Sequence, residues 1–147
     1  MRKRVLTSVI SLILICALFT SFALAATLRA SEYISSYKAV ISPTGDGEIT
    51  VECSINGTGR MKTLGIQSVK IYNANGTNVA TYSYTMDGYE YLMGSDTGRK
   101  TASVSHSGIP GRSYYAVVVF YASDGSGSDS RSYTTKAVTA LIPLTLH

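Results

Sequence analysis

The side chains that could attack a substrate, move a proton or hold a metal at neutral pH are few here and widely separated. The histidines are His106 and His147, and the cysteines are Cys16 and Cys53. Acid–base and nucleophilic catalysis both need such groups within hydrogen-bond reach of a partner. A hydrolytic triad would have to unite His106 with a serine and a carboxylate, and no G-x-S-x-G nucleophile elbow is present to seat the serine. Cys53 lies between Val51 and Ile55 in an alternating run. Burial at such a position raises a thiol's pKa and withholds the thiolate that reactivity requires. These residues predict no catalytic site and no enzyme.

One loop invites a metal reading, because Asp124, Ser126, Ser128 and Asp129 space oxygen atoms along a glycine-rich stretch. Calcium takes six to eight oxygens, usually with a bidentate carboxylate closing the loop. Thr135 stands where that carboxylate would be. The stretch reads as a solvated hairpin loop, and neither metal nor cofactor is expected. The two Asn-Gly-Thr triplets, at Asn56 and Asn75, read as turns.

The elements that would position these groups begin after a targeting segment. Met1-Arg2-Lys3-Arg4 is cationic, residues 12–19 are unbroken apolar, and Ala23-Leu24-Ala25 offers the small residues a signal peptidase reads. A retained anchor would need about 20 mostly apolar residues, and Thr7, Ser8, Ser11, Thr20 and Ser21 shorten this one. Cys16 follows Ile15, where lipidation wants Gly or Ala, and lies inside the hydrophobic stretch. Residues 1–25 are therefore expected to be a cleaved signal peptide and the mature chain to be secreted.

Cleavage changes the charge. Three of the thirteen Lys and Arg residues leave with the segment and all nine acidic residues stay, so ten cations face nine anions, a net +1. The formal +4 is mostly targeting chemistry and gives no reason to expect nucleic acid or, after cleavage, a membrane as partner. Residues 26–147 suffice for one domain with one core. Of the cysteines only Cys53 remains, so that core must hold without an intramolecular disulfide.

Strand patterns recur along this domain after an irregular N-terminal segment. Residues 47–56, GEITVECSIN, place Ile49, Val51, Cys53 and Ile55 on one side and Thr50, Glu52 and Ser54 on the other. Pro43 to Gly47 before them and Asn56-Gly-Thr-Gly59 after them are turn-formers. Val69 and Ile71 alternate with Lys70 and Tyr72, and the chain then reverses at Asn75-Gly76 into a second β-rich run. Asp87-Gly88 offers a two-residue hairpin loop that would pair Met86 with Tyr89 and Tyr84 with Tyr91. Tyr82, Tyr84, Met86, Tyr89 and Tyr91 would then share a face at the core or its edge. Residues 100–106 place Ala102 and Val104 inward, and a last strand covers residues 131–138, before an apolar C-terminal tail. About seven strands at this spacing, with no helical periodicity, predict an all-β sandwich.

Residues 109–122, IPGRSYYAVVVFYA, end in nine consecutive apolar or aromatic residues. Coiled, nine residues would extend about 13 Å; as a strand they reach about 30 Å, enough to cross a sandwich core. Ile109-Pro110-Gly111, Tyr114, and then Ala116, Val118 and Phe120 at alternate positions resemble the sixth strand of fibronectin type III and related immunoglobulin-like domains. That resemblance implies a tyrosine corner, with the Tyr114 ring inward and its hydroxyl tied to nearby backbone. Two departures stand out: the chain has no tryptophan, and Ala116 occupies the position where an immunoglobulin partner for Cys53 would sit. From ASEYISSYKAVISPTGDGEITVECSINGTGRM to GRSYYAVVVFYASDG, the mature chain also resembles a family of short secreted proteins of Gram-positive bacteria classed as a domain of unknown function. That likeness implies no activity and no site residues.

If Tyr114, Ala116, Val118 and Phe120 face the core, then Tyr115, Val117, Val119 and Tyr121 face outward. The fibronectin arrangement implies that the third and sixth strands are neighbours, which adds Tyr72 to this stripe. Contiguous apolar, tyrosine-rich surface on a monomer usually meets a partner. Sugars would suit it, with C–H faces against the rings and hydrogen bonds to the tyrosine hydroxyls and Lys70. Residues 141–146, Leu-Ile-Pro-Leu-Thr-Leu, could instead cover the stripe. The expectation is a secreted, non-enzymatic binding domain for a protein or glycan at the cell surface. The alternative is a structural protein that self-associates there.

Overall fold

The computed structural model describes residues 31–144. The expected signal segment and its cleavage position lie outside these residues, as do Leu146 and His147. The described chain is all-β, seven strands joined into one antiparallel sheet with no α-helix among the described residues.

One strand organises the rest. β2 (Glu48–Asn73) runs for 26 residues and is flanked along both sides. Along one side lie β1 (Ile34–Pro43), against Ile49 to Gly57, and then β5 (Ser113–Ser123), against Thr63 to Asn73. Along the other lie β4 (Met93–Ser107) and then β3 (Asn78–Ser83). β6 (Ser128–Thr134) and β7 (Val138–Thr139) close the far side of β5. Because β2 is shared, the sheet folds over and its two halves face each other. Tyr37 of β1 meets Phe120 of β5 at 5.4 Å between ring centroids, and Tyr133 of β6 at 6.3 Å.

The alternation of residues 47–56 is borne out, with Ile49, Val51, Cys53 and Ile55 all buried. Asn56-Gly-Thr-Gly59, however, is not a turn. The strand continues through it, and the pairing with β4 slips between Asn56 and Met61. A bulge of this kind bends and twists a strand without ending it, so the two expected strands are one. The N-terminal segment is not irregular either, since residues 34–43 pair with β2. The last strand is broken at residues 135–137 into β6 and β7, and the Thr135 hydroxyl accepts a hydrogen bond from Ala116 N–H at 2.9 Å.

Asp87-Gly88 does not close a hairpin. β4 continues in the same direction as β3 along the same side of β2, so a reversal would carry the chain the wrong way. Residues 84–92 make a detour instead, ending in a 3-10 turn (Glu90–Leu92) anchored by buried Leu92. Tyr82, Tyr84 and Tyr89 are half-buried against the core, whereas Met86 and Tyr91 are exposed.

The nine-residue run is interior and extended. Tyr114, Ala116, Val118, Phe120 and Ala122 are buried, and every residue between them is half-buried. The Tyr114 hydroxyl accepts a hydrogen bond from Ile109 N–H at 2.8 Å. The opposite end of that loop is pinned at Gly47, whose carbonyl accepts from Gly108 N–H at 2.9 Å and whose φ of 78° suits glycine.

Candidate functional site

The outward residues of β5 form a row whose neighbours follow from register. Tyr115 pairs with Tyr72, Val117 with Lys70 and Val119 with Ser68 on β2. On the other side Val117 pairs with Thr134, Val119 with Ser132 and Tyr121 with Ser130 on β6. Beyond β2, Lys70 pairs with Thr81 and Ser68 with Ser83 on β3. Directly paired residues of antiparallel strands share a face. Tyr72, Tyr115, Val117, Val119 and Tyr121 therefore lie together, bordered on both sides by hydroxyl residues, with Lys70 as the only ionisable cation among the positions just named.

The rings of Tyr72 and Tyr115 stack at 5.3 Å with 12° between their planes. Their mutual cover, and that of the valines between, leaves all five stripe residues half-buried instead of fully exposed. The hydroxyl borders are the part that sequence reasoning did not single out. Their signal was present in the alternation of Ser128, Ser130, Ser132 and Thr134, all exposed.

The tail does not cover this stripe along its described length. Gly47 N–H donates to the Leu141 carbonyl at 2.9 Å, and Asp46 bridges Leu141. Residues 141–144 thus lie against the turn between β1 and β2. Ile142 approaches Gly111 there.

The other chemistry-bearing residues are held in structural roles. His106 lies on β4 with its Nδ1 at 2.9 Å from the Tyr82 hydroxyl, and its ring makes edge contacts with Tyr82 and Tyr114. Partial burial lowers its pKa below the ordinary histidine value. Cys53 is buried between Ala39 and Ala102 on the flanking strands, and burial pushes its thiol up to about 12. At neutral pH it is a protonated, inert thiol.

In the β5–β6 loop, Asp124 Oδ1 accepts from the Ser126 hydroxyl and backbone N–H, both at 2.8 Å, and from Gly127 N–H at 3.0 Å. These bonds, the Ser126 hydroxyl first, hold its carboxyl below the usual carboxylate range. The oxygen is engaged in turning the chain. Among the described residues no group of three or more His, Cys, Asp and Glu side chains is placed to hold a metal, and no helix is long and apolar enough to cross a membrane.

A second hollow lies on the outer face of β1, β2 and β4, lined by the hydroxyl and charged side chains of Lys38, Glu52, Ser54, Thr101 and Ser103 together with Val40, Cys53 and Ala102. Its lining is mixed polar and apolar and open to water. Displacing water already bonded to hydroxyl and charged groups gains a ligand little unless it reproduces those bonds. The tyrosine–valine row has no such competitor over its apolar centre. No protein-family model matches the chain, and a search of curated proteins finds no match.

Proposed function

We propose that this chain is a secreted, non-enzymatic binding domain whose contact surface is Tyr72, Tyr115, Val117, Val119 and Tyr121. The observation that carries the reading is the row itself: two stacked tyrosines, two valines and a third tyrosine on one outward face, bordered by serine and threonine. Tyrosine supplies large, stiff contact area with a polar tip, and valine supplies surface that gains by leaving water. The ligand class that suits this is a cell-surface glycan or protein met through ring faces and hydroxyls.

The architecture is read as immunoglobulin-like, of the fibronectin type III kind. Its support is the adjacency of the second half of β2, β5 and β6, and the tie from the Tyr114 hydroxyl to Ile109. Secretion rests on the cationic, apolar and small-residue pattern of residues 1–25. Membership of the Gram-positive secreted family rests on the mature-chain likeness alone.

The test is a Tyr115→Ser, Tyr121→Ser double variant of the mature chain, probed on a glycan array and by pull-down from cell-surface extracts. Whatever the parent chain binds should be lost, while cooperative thermal unfolding is retained. Full binding by a folded double variant rejects the site.

A further inference from the structure

The rings of Tyr72 and Tyr115 are set for more than mutual cover. The two residues are directly paired across β2 and β5, so their Cβ atoms start about 4.5–5.5 Å apart. Their ring centroids are still only 5.3 Å apart, with 12° between the planes. The rings therefore run alongside each other toward their hydroxyl ends, and carbons of rings stacked in this way meet at van der Waals contact, about 3.5–4.0 Å. Both side chains are half-buried, and among the described residues neither hydroxyl has a hydrogen-bond partner.

The other tyrosine pairs lack one or more of these features. Tyr82 and Tyr89 are as close, at 5.1 Å, but their planes cross at 44° and the Tyr82 hydroxyl is held against His106. Tyr89 and Tyr91 lie 6.1 Å apart, with the Tyr91 hydroxyl donated to the Ser103 carbonyl. Tyr37 and Tyr133 meet edge-on at 6.3 Å. Among the described residues, Tyr72 and Tyr115 alone bring together two near-parallel, untied phenols from strands far apart in sequence.

We propose that Tyr72 and Tyr115 are a site of oxidative coupling, at which a haem peroxidase with hydrogen peroxide joins β2 to β5 by a carbon–carbon bond between the two rings. Each phenol gives up one electron and one proton, and one hydrogen peroxide takes them all and leaves as two waters. The unpaired electron of each phenoxyl radical is shared between its oxygen and the ring carbons ortho to it. A bond forms between one ortho carbon of each ring. Each of those carbons then releases its hydrogen as a proton, and each oxygen takes one up. The product keeps both hydroxyls and is lighter by two hydrogen atoms.

Cys53 is buried and unpaired, so no disulfide staples the sheet among the described residues. The new bond would enclose residues 73–114 in a covalent loop, and a cross-link over a long loop stabilises chiefly by restricting the unfolded chain. The site uses two residues of the proposed contact row but does not depend on what that row binds.

The test is treatment of the mature chain with a haem peroxidase and hydrogen peroxide over a series of protein concentrations, followed by mass spectrometry of the monomer and its tryptic peptides. A monomer lighter by two hydrogen atoms should form in a yield independent of protein concentration. Trypsin, cutting after Lys70, Arg99, Arg112 and Arg131, should release residues 71–99 joined to residues 113–131, and the coupled chain should unfold at a higher temperature. Tyr72→Phe and Tyr115→Phe each keep the stacked ring and remove one phenol, and each should abolish the link within the chain. Tyr82→Phe should couple as the parent does. Tyr121→Ser, which weakens the proposed contact row, should also still couple, so failure of the binding reading and failure of this one are told apart. A link that survives Tyr72→Phe, a link confined to residues 71–99, coupling between chains only, or a parent monomer of unchanged mass overturns the proposal.

Discussion

The same strand, β2, contributes to both outer faces of the folded sheet, and the two faces differ. In its first half the outward residues are Thr50, Glu52 and Ser54, set between Ser42, Val40 and Lys38 on β1 and Ser105, Ser103 and Thr101 on β4. Hydroxyls there bond one another, Thr44 to Thr50 and Thr50 to Ser105, each at 3.0 Å. In its second half the outward residues are Ser68, Lys70 and Tyr72, and they border the tyrosine–valine row of β5. Inner faces have no such latitude, because both must fill one core. The outer faces were free to differ, and where one keeps valine and tyrosine at positions that the other gives to serine and glutamate, contact with another molecule is the physical reason we infer.

If the inner side carries stability and the outer row carries contact, neighbouring residues of β5 should respond oppositely. Phe120→Ala empties a fully buried ring site that packs on Tyr37. It should cost about 3–5 kcal/mol in urea unfolding. Tyr121→Ser, one residue on, should cost about 1 kcal/mol or less, since its side chain is half-buried. Equal losses at both positions would break the comparison.

The contact side has its own contrast. Tyrosines are among the residues whose loss from an interface can cost about 2 kcal/mol or more each, so the Tyr115→Ser, Tyr121→Ser chain should bind at least about a hundredfold more weakly. A Lys38→Ser, Glu52→Ser chain, altered on the polar face, should bind as the parent does. Loss of binding in the second variant would move the site to the other face.

The strand type and facing of residues 47–56 and 68–72 were legible from a period of two with large apolar residues on one side, whereas residues 114–122 are apolar on both sides and their facing came from the resemblance around Tyr114. What was not legible has three distinct causes. β1 was hidden because Val40 is exposed beside Lys38, which blurs its alternation. The bend in β2 was hidden because Asn-Gly-Thr-Gly suits both a turn and a bulge, and only the length of β4 opposite it decides. The detour at residues 84–92 was hidden because the local preference of Asp87-Gly88 for a reversal was overruled by β4 continuing along β2. The β5 members of the stripe could be named from parity and Tyr72 from the strand adjacency the resemblance implied, whereas its hydroxyl borders needed the register of β6.

The tie at Tyr114 bears on how firmly β5 is held between the two faces. Tyr114→Phe keeps the ring, which is 4 % exposed, and removes only the acceptor for Ile109 N–H. A donor left without its partner in a partly buried loop costs about 1–2 kcal/mol. Unfolding midpoints should fall accordingly, with binding by the outer row unchanged. A neutral result would mean that water replaces the hydroxyl there. Elsewhere in the core, Cys53 should resist alkylation in the native state at neutral pH and react only on unfolding, as its burial and raised pKa require.

The smallest effect expected is a pH dependence from His106, which joins the edge of the core to the Tyr114 corner through its contacts with Tyr82 and Tyr114. Desolvation lowers its pKa in the folded chain, whereas an unfolded histidine titrates near about 6.5. The unfolded state therefore takes up a proton first as pH falls. Stability from the neutral ring is complete above that value and is lost progressively below it, down to the folded pKa. His106→Asn keeps a hydrogen-bonding side chain and no titrating group, so its urea midpoint should fall less than the parent's between about pH 7.5 and about pH 5.5. Much of the ring remains near solvent, so the difference should be small, and Asp124, whose carboxyl is held low, titrates beneath this window. Parallel losses in parent and variant would show that His106 is as well solvated when folded as when unfolded, and that the corner is fastened by Tyr114 alone.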